Sequence, residues 1–307
     1  MFDALSPAQA ASFRAVHDRL APADWARVEA LSDLAARAAT EACKHWRFSE
    51  PSRAADRVLG PDATAELRRG LIAHWALRLP ERVAAEDLPP AMLAYYPDWT
   101  DRLAAFLESS TGEYDEDFWA KDVRFALVLS APGAQTQTID LCSRLGPGDI
   151  VRHGRAGHGW EALGAYVAAR GWGPWLEVHT ESRHLADFNE AGWDKAWASA
   201  AELIRRRPQL RGMIGSSWFY DPPLEQISPR LAYLRVNPLR HGAFMIHQGP
   251  GEIHTQRATA SSASRRALVE AGQYTPRSWI VAWPRAALLR WADAREAAAA
   301  IPLQAAA

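Results

Sequence analysis

Seven of the ten histidines lie in the second half of the chain, where carboxylates and arginines accompany them. They are His153, His158, His179, His184, His241, His247 and His254. Histidine changes charge near neutral pH, so it can act as a general base or as a metal ligand. The sequence therefore places the candidate chemistry in this half.

The segment from His179 to His184 follows directly on an apolar stretch that is typical of a strand. Residues at the carboxyl end of a sheet strand often face the ligand crevice of an α/β fold. There His179 or Glu181 could act as a general base, and Arg183 could bind a carboxylate or phosphate. The alternative is a polar connection in which His179 is half-buried and hydrogen-bonded.

A second candidate is the segment that contains Arg155, Gly157 and Gly159, predicted to join a short strand at 149–151 to a helix at 160–170. Glycines allow a ligand to approach the backbone, and the N–H groups at a helix start favour a phosphate. Short glycine patterns also occur in connections that bind nothing. Both interpretations stay open for this segment.

A third candidate is the string of hydroxyl and aromatic side chains that ends in Asp221-Pro222. Ser217 or Tyr220 could donate a proton at a strand end, and Trp218 is expected in the core. Asp221 is a candidate substrate contact. Since proline follows it, the structural alternative is a helix N-cap.

The elements that must position these residues fall into two parts. Apolar residues recur at helical spacing before residue 118, as Leu67, Leu71 and Trp75 illustrate, and at a period of two after it. We therefore predict an α+β protein with a helical domain at 1–117 and an α/β domain at 118–307. Because strands and helices alternate there, its sheet should be mixed and partly antiparallel.

The predicted strands cover residues 123–129, 135–141, 149–151, 175–179, 212–220, 243–247 and 278–283, and the first two form a hairpin. Further helices are predicted at 188–206, 224–235 and 264–271, and a last helix ends near residue 299.

Charge and composition narrow the class of protein. Lys and Arg total 35 against 36 Asp and Glu, and this balance argues against a dedicated nucleic-acid binder. No apolar run is long enough to span a membrane, and the first residues lack a basic leader, so we expect no membrane association and a cytoplasmic location. Two cysteines, Cys43 and Cys142, exclude a disulfide framework. The 14 tryptophans are expected mainly in packing.

The order of His179, Glu181, His254 and Arg265 also matches an iron oxygenase that uses two histidines, one carboxylate and 2-oxoglutarate. In that class the first ligands lie between jelly-roll strands, whereas a long helix is predicted here at 188–206. We therefore expect no metal, and the oxygenase remains an alternative function.

A helical first part, a strand that ends in His179, a long helix and the string Ser217-Trp218-Phe219-Tyr220-Asp221-Pro222-Pro223-Leu224 together resemble a known group. The pattern is similar to bacterial acyltransferase-domain proteins of the GCN5-related N-acetyltransferase-like superfamily, over residues 120–285. The resemblance implies that fold, acyl-CoA as co-substrate and a small-molecule amine as acceptor. That superfamily holds the coenzyme A pyrophosphate with an Arg-x-x-Gly-x-Gly loop between a strand and a helix. Here the arginine-to-glycine spacing is one residue shorter.

The resemblance also implies roles for the candidate residues. A base would accept the amine proton and a donor would protonate the leaving thiolate; these catalytic residues would be His179 or Glu181, with Tyr220. The residues implied for the coenzyme A phosphates are Arg155, Gly157 and Gly159. Those implied for the substrate are Arg183, Ser217, Trp218 and Asp221. A non-catalytic member of the fold that binds a small molecule is the remaining alternative, and no oligomeric state is predicted.

Overall fold

The structure, a computed structural model, describes residues 2–300. Over that range the protein is α+β, as predicted, and its Cα positions divide it into two compact units. The first comprises Met1–Ser143 with Glu181–Leu185, and the second comprises Arg144–Thr180 with Ala186–Ala307. The boundary between residues 117 and 118 is predicted from a change in hydrophobic period. The two units are defined by compactness, so the two divisions of the chain need not coincide.

Helices and one strand hairpin form the described part of the first unit. The helices are α1 (Pro7–Asp18), α2 (Pro22–Ala42), α3 (Glu50–Leu59), α4 (Ala65–Ala76), α5 (Leu79–Ala85), α6 (Pro90–Leu93), α7 (Tyr96–Ser109) and α8 (Glu116–Ala126). The strands β1 (Ser130–Pro132) and β2 (Gln137–Arg144) pair antiparallel.

Local side-chain contacts fix where these helices begin. Ser6 and Gln9 form a capping box at α1, in which each side chain accepts a hydrogen bond from the other residue's N–H. Thr64 caps α4 by accepting from the third residue of that helix. The helices bury their apolar faces, and the buried Trp75 donates its indole N–H to the carbonyl of Ser32 at 3.1 Å.

The apolar run at 123–129 is largely helical, and the strand predicted there is wrong. Asp115 starts α8 by accepting hydrogen bonds from the N–H groups of Asp117 and Phe118, at 2.9 and 3.1 Å. The helix then continues to Ala126. A short apolar run fits a buried helix end as well as a strand, because it is too short to distinguish the two periods. The hairpin is formed by β1 and β2 instead.

The second unit alternates helices and strands. Its helices are α9 (Pro147–His153), α10 (Glu161–Ala168), α11 (Glu190–Arg206), α12 (Leu224–Ile227), α13 (Tyr233–Arg240), α14 (Glu252–Thr259), α15 (Ala263–Glu270) and α16 (Arg285–Ala300). Its strands are β3 (Pro174–Thr180), β4 (Gly212–Ser217), β5 (Phe244–Pro250) and β6 (Arg277–Pro284).

The strands of this unit lie in the order β3-β4-β6-β5 and confirm a mixed sheet. β3 and β4 are parallel, whereas β6 is antiparallel to both of its neighbours, β4 and β5. The carboxyl ends of β3, β4 and β5 therefore lie side by side, together with the amino end of β6. We call this row of strand ends the sheet edge.

Apolar side chains cover the sheet of the second unit. Ile214, Ile246 and Ile280 from three strands pack in one cluster with Ile150 of α9 and Tyr166 of α10. A group of tryptophans forms another part of the core, with neighbouring ring centroids 5.2 to 6.0 Å apart: Trp193 and Trp197 of α11, Trp283 of β6 and Trp291 of α16. These tryptophans are packing residues, as expected.

Three elements of this unit differ from those that the sequence predicts. The strand predicted at 149–151 is wrong, because Pro147 at the first helical position begins α9 instead. The strand predicted to reach Tyr220 ends at Ser217 and continues as a 3₁₀ turn, Trp218–Tyr220. The helix predicted over 224–235 is interrupted, because a 3₁₀ turn that begins at Pro229 separates α12 from α13.

The other strands and long helices predicted for this unit are confirmed within a few residues, namely β3, β5, β6, α11, α15 and α16. Within residues 2–300, no helix combines the length and apolar character required to cross a membrane.

Candidate functional site

The parallel strands β3 and β4 are paired over a short distance only. Their register consists of Leu176 with Met213 and Glu177 with Ile214. β4 remains in register with β6 as far as Ser217. Beyond the last β3–β4 pair, no register pair joins residues 178–180 to residues 215–217, and we call these two segments the wedge. Such unpaired strand edges can hydrogen-bond an extended ligand.

His179 and Glu177 lie at this wedge. Side chains two residues apart on a strand project from the same face, and His179 Nε2 is 3.8 Å from Glu177 Oε2. Both side chains retain about a fifth of their exposure, at 20% and 18%. A partly exposed imidazole with a carboxylate neighbour can accept a proton, because the carboxylate stabilises the imidazolium that forms.

Tyr220 reaches back towards the backbone of β4. A Cβ built on Gly215 would lie 2.5 Å from the Tyr220 hydroxyl oxygen, so the glycine makes room for that hydroxyl. Burial raises the pKa of Tyr220 far above its ordinary value, and the neighbouring Tyr233 and Glu177 reinforce the shift. The phenol is therefore protonated at neutral pH and can serve as a hydrogen-bond donor.

Asp221 is buried and holds the next strand of the sheet. Its carboxylate accepts hydrogen bonds from the Trp279 indole at 3.0 Å and from the Arg277 N–H at 3.2 Å, and it pairs with the Arg277 guanidinium at 3.2 Å. The N-cap interpretation of Asp221 is wrong, since α12 begins at Leu224 without a side-chain cap. With these hydrogen bonds and this ion pair, the Asp221 carboxylate has a structural role in the sheet.

Ser217 and Trp218 start the turn that follows β4. The Ser217 hydroxyl accepts from the N–H of Phe219 at 3.4 Å. Trp218 is half-buried, and the Arg265 guanidinium lies over its ring at 4.9 Å from the centroid. Arg265 also donates to the carbonyl of Ala258 at 2.6 Å, so it fixes the turn against α14 and α15.

A polar triplet that the sequence did not suggest lies at the same sheet edge. Gln248 Oε1 accepts from the Ser216 hydroxyl at 2.5 Å and from the Ser278 hydroxyl at 2.7 Å. The three residues come from β4, β5 and β6, which are far apart in the chain. Only the strand order brings them together, so no local pattern could have indicated the triplet.

Glu181 and Arg183 belong to the first unit, whereas His179 belongs to the second. Arg183 donates to both carboxylate oxygens of Asp122, at 2.7 and 2.9 Å, and to both oxygens of Glu181, at 2.9 and 3.0 Å. Its guanidinium also lies 4.6 Å from the ring centroids of Phe106 and Phe118. Four of the five guanidinium N–H groups of Arg183 therefore bond to carboxylates within the protein.

This ion cluster weakens the case for Glu181 as a base. Burial alone would raise its pKa, but the hydrogen bonds and charge of Arg183 hold the pKa below its ordinary value. The adjoining cavity measures about 20 Å³, which is room for roughly one water molecule. Asp122, Glu181 and Arg183 line it. The arrangement stabilises the first unit and offers no space for a substrate of ordinary size.

The glycine segment lies between two helices and not between a strand and a helix as predicted. Residues Gly154–His158 form a π-helical turn after α9, and Gly157 and Gly159 have φ angles of 82° and 90°. Arg155 is exposed. Because no strand leads into the turn, its glycines do not reproduce the strand–loop–helix setting on which the phosphate expectation depended.

Comparison with family models, with curated proteins and with solved structures gives no match for this chain.

Proposed function

We propose that this protein is an acyl-CoA-dependent N-acyltransferase whose acyl donor binds in the wedge between β3 and β4. The observation that carries the proposal is the early end of their parallel pairing, after Glu177 and Ile214. The pantetheine arm of coenzyme A is an extended chain with amide groups. Amide groups can pair with the open main chain at 178–180 and 215–217 in the manner of an added strand.

His179 is the proposed base. The acceptor nitrogen attacks the thioester carbonyl carbon, forms the C–N bond and gives its proton to the imidazole, while the C–S bond breaks. Glu177, 3.8 Å from His179, stabilises the imidazolium. Glu181 is the weaker choice, because its carboxylate already accepts from Arg183 through both oxygens.

Tyr220 is the proposed donor to the departing sulfur. Its phenol remains protonated at neutral pH, since burial raises its pKa. A hydrogen bond from this hydroxyl stabilises the thiolate as the C–S bond breaks, and the thiolate is finally protonated from solvent. Positioned acid–base groups of this kind contribute about 10²–10⁴-fold to a rate.

Fewer observations support a binding site for the phosphate groups of the donor than for its pantetheine arm. Arg155 is exposed on an interhelical turn, and Arg183 uses four of its five guanidinium N–H groups to bind Asp122 and Glu181. We therefore propose that most of the affinity comes from the wedge.

Calorimetry with acetyl-CoA and with S-acetylpantetheine tests this assignment. Binding of both ligands within about tenfold of each other is expected, with a change below threefold in the Arg155→Ala protein. Absence of acetyl-CoA binding refutes the proposed function. A strong loss of acetyl-CoA affinity in Arg155→Ala would instead show that the glycine segment binds the phosphates.

Turnover tests the role of His179. Release of free thiol from acetyl-CoA, measured over a panel of small amines, should fall by about 10²–10⁴-fold in His179→Ala, with the acetyl-CoA affinity retained. His241→Ala is the matched control, because His241 is an exposed histidine of the same unit. Equal rates in the two variants would rule out His179 as the base.

The oxygenase alternative is not supported by the contacts of its ligand set. Both oxygens of Glu181 accept from Arg183, and Arg265 packs on Trp218 and bonds to Ala258. Neither side chain is available for iron or 2-oxoglutarate in this arrangement.

A further inference from the structure

Three histidines of the second unit surround Trp279, away from the roles proposed above. His158 lies closest to His247, with ring centroids 4.1 Å apart and planes tilted by 46°. His153 stacks on His158 at 5.3 Å. Trp279 contacts both His158 and His247 edge-on, at 5.1 and 4.8 Å.

The three histidines differ in their hydrogen bonds. His153 Nδ1 accepts from the main-chain N–H of His247 at 2.9 Å, so His153 holds the strand and is not a free ligand. His247 Nε2 is buried and has no hydrogen-bond partner among the described residues. A buried imidazole nitrogen without a partner is a costly arrangement unless something else binds it.

The backbone around His158 allows its imidazole to approach a metal ion that is also bound by His247. His158 ends the π-helical turn, and Gly157 and Gly159 on either side of it have positive φ. At a metal–nitrogen distance of about 2.0 Å, two imidazoles on one ion place their centroids roughly 4.5 to 5.2 Å apart. The observed 4.1 Å is shorter, so metal binding requires the two rings to move apart by about 0.4 to 1.1 Å.

We propose that His158 and His247 form a binding site for a divalent transition-metal ion of the zinc, nickel or copper class. Imidazole ligands suit these ions, whereas magnesium and calcium prefer oxygen ligands. His247 Nε2 supplies one ligand and a ring nitrogen of His158 the other, with water at the remaining positions. The site uses none of the residues proposed for acyl transfer, so either proposal can fail alone.

Copper EPR spectroscopy on the EDTA-treated full-length protein tests the site. One equivalent of Cu²⁺ is expected to show hyperfine coupling to two imidazole nitrogens, and Zn²⁺ calorimetry to show one site. His158→Asn and His247→Asn should each remove one coupled nitrogen and weaken Zn²⁺ binding at least tenfold. The control His241→Asn, at an exposed histidine of the same unit, should change neither measurement.

Three results would overturn the proposal: oxygen-only coordination, binding equally weakened by His241→Asn, or Zn²⁺ affinity unchanged in His158→Asn. The last two indicate an adventitious surface site only. His158→Asn decides the matter even where His247→Asn fails to fold, because His158 is half-buried on a turn. Circular dichroism of each metal-free variant verifies that the fold is intact.

Discussion

Single side chains at the wedge have separable tasks. In the proposed mechanism His179 accepts a proton, and Glu177 on the same strand face, 3.8 Å away, stabilises the charge that results. The sequence indicated His179 through its position at the end of an apolar strand, but no pattern in it pointed to Glu177. Conversely, Arg183 matches the pattern of a substrate clamp in the sequence, although four of its N–H donors bond to Asp122 and Glu181. Charge patterns do not reveal which partners the fold will supply.

Glu177→Gln should lower kcat for acyl transfer by roughly fivefold to tenfold, with the KM for acetyl-CoA nearly unchanged. The reason is that a partly exposed ion pair at this distance contributes about 1 kcal/mol. Steady-state kinetics on the wild type and the variant provide the measurement. A KM effect without a kcat effect would place Glu177 in binding instead.

Arg183→Met should destabilise the protein by about 3–5 kcal/mol, because it leaves Asp122 and Glu181 buried without their cation. Urea unfolding measures the loss. The control is Arg53→Met in the same unit, which breaks an exposed pair with Glu50 and should cost about 0–1 kcal/mol. Equal costs for the two variants would contradict the structural role of Arg183.

At the scale of elements, β3 and α11 were predictable because each has a clear period and a defined end. Asn189 caps α11 and Pro208 follows it. The wedge was not predictable, since it depends on where two strands that are distant in sequence stop pairing. Asp221 shows the same limit: its partners Trp279 and Arg277 lie on β6, more than fifty residues later.

Gly215→Ala should destabilise the protein by about 1–3 kcal/mol, since the new Cβ would lie 2.5 Å from the Tyr220 hydroxyl. In a Tyr220→Phe background the hydroxyl is absent, so the same substitution should cost clearly less. A double-mutant cycle of unfolding free energies measures this coupling. Strict additivity would show that the two residues do not meet as described.

Lowering the pH should destabilise the first unit through His17 of α1, which lies beside His74 of α4. Burial, with the neighbouring His74, lowers the pKa of His17 to about 4. In the unfolded chain histidine titrates near 6.5. Between these values the unfolded state binds a proton that the native state does not, so stability falls as the pH drops from about 6.5 to 4.

Thermal unfolding over this pH range should therefore show a smaller acid shift in His17→Phe, which keeps the aromatic contact with Trp25. His45→Phe, at an exposed position of the same unit, is the control and should behave as the wild type. A wild-type acid shift in the His17 variant would contradict the assignment.

For the molecule as a whole, composition and period predicted the α+β class and the mixed sheet. The proposed chemistry depends on how the second unit orders its strands. The order β3-β4-β6-β5 places the carboxyl ends of three strands at one edge, where the wedge, Tyr220 and the polar triplet lie. Local sequence patterns could suggest individual residues of this edge, but not the edge itself.

Hydrogen–deuterium exchange with and without saturating acetyl-CoA tests the central claim most directly. If the donor binds in the wedge, exchange should slow at those main-chain amides of residues 178–180 and 215–217 that face the wedge, because these amides become hydrogen-bonded to the donor, while α2 stays unchanged. Saturation with acetyl-CoA that leaves both segments exchanging as before would contradict the proposed site.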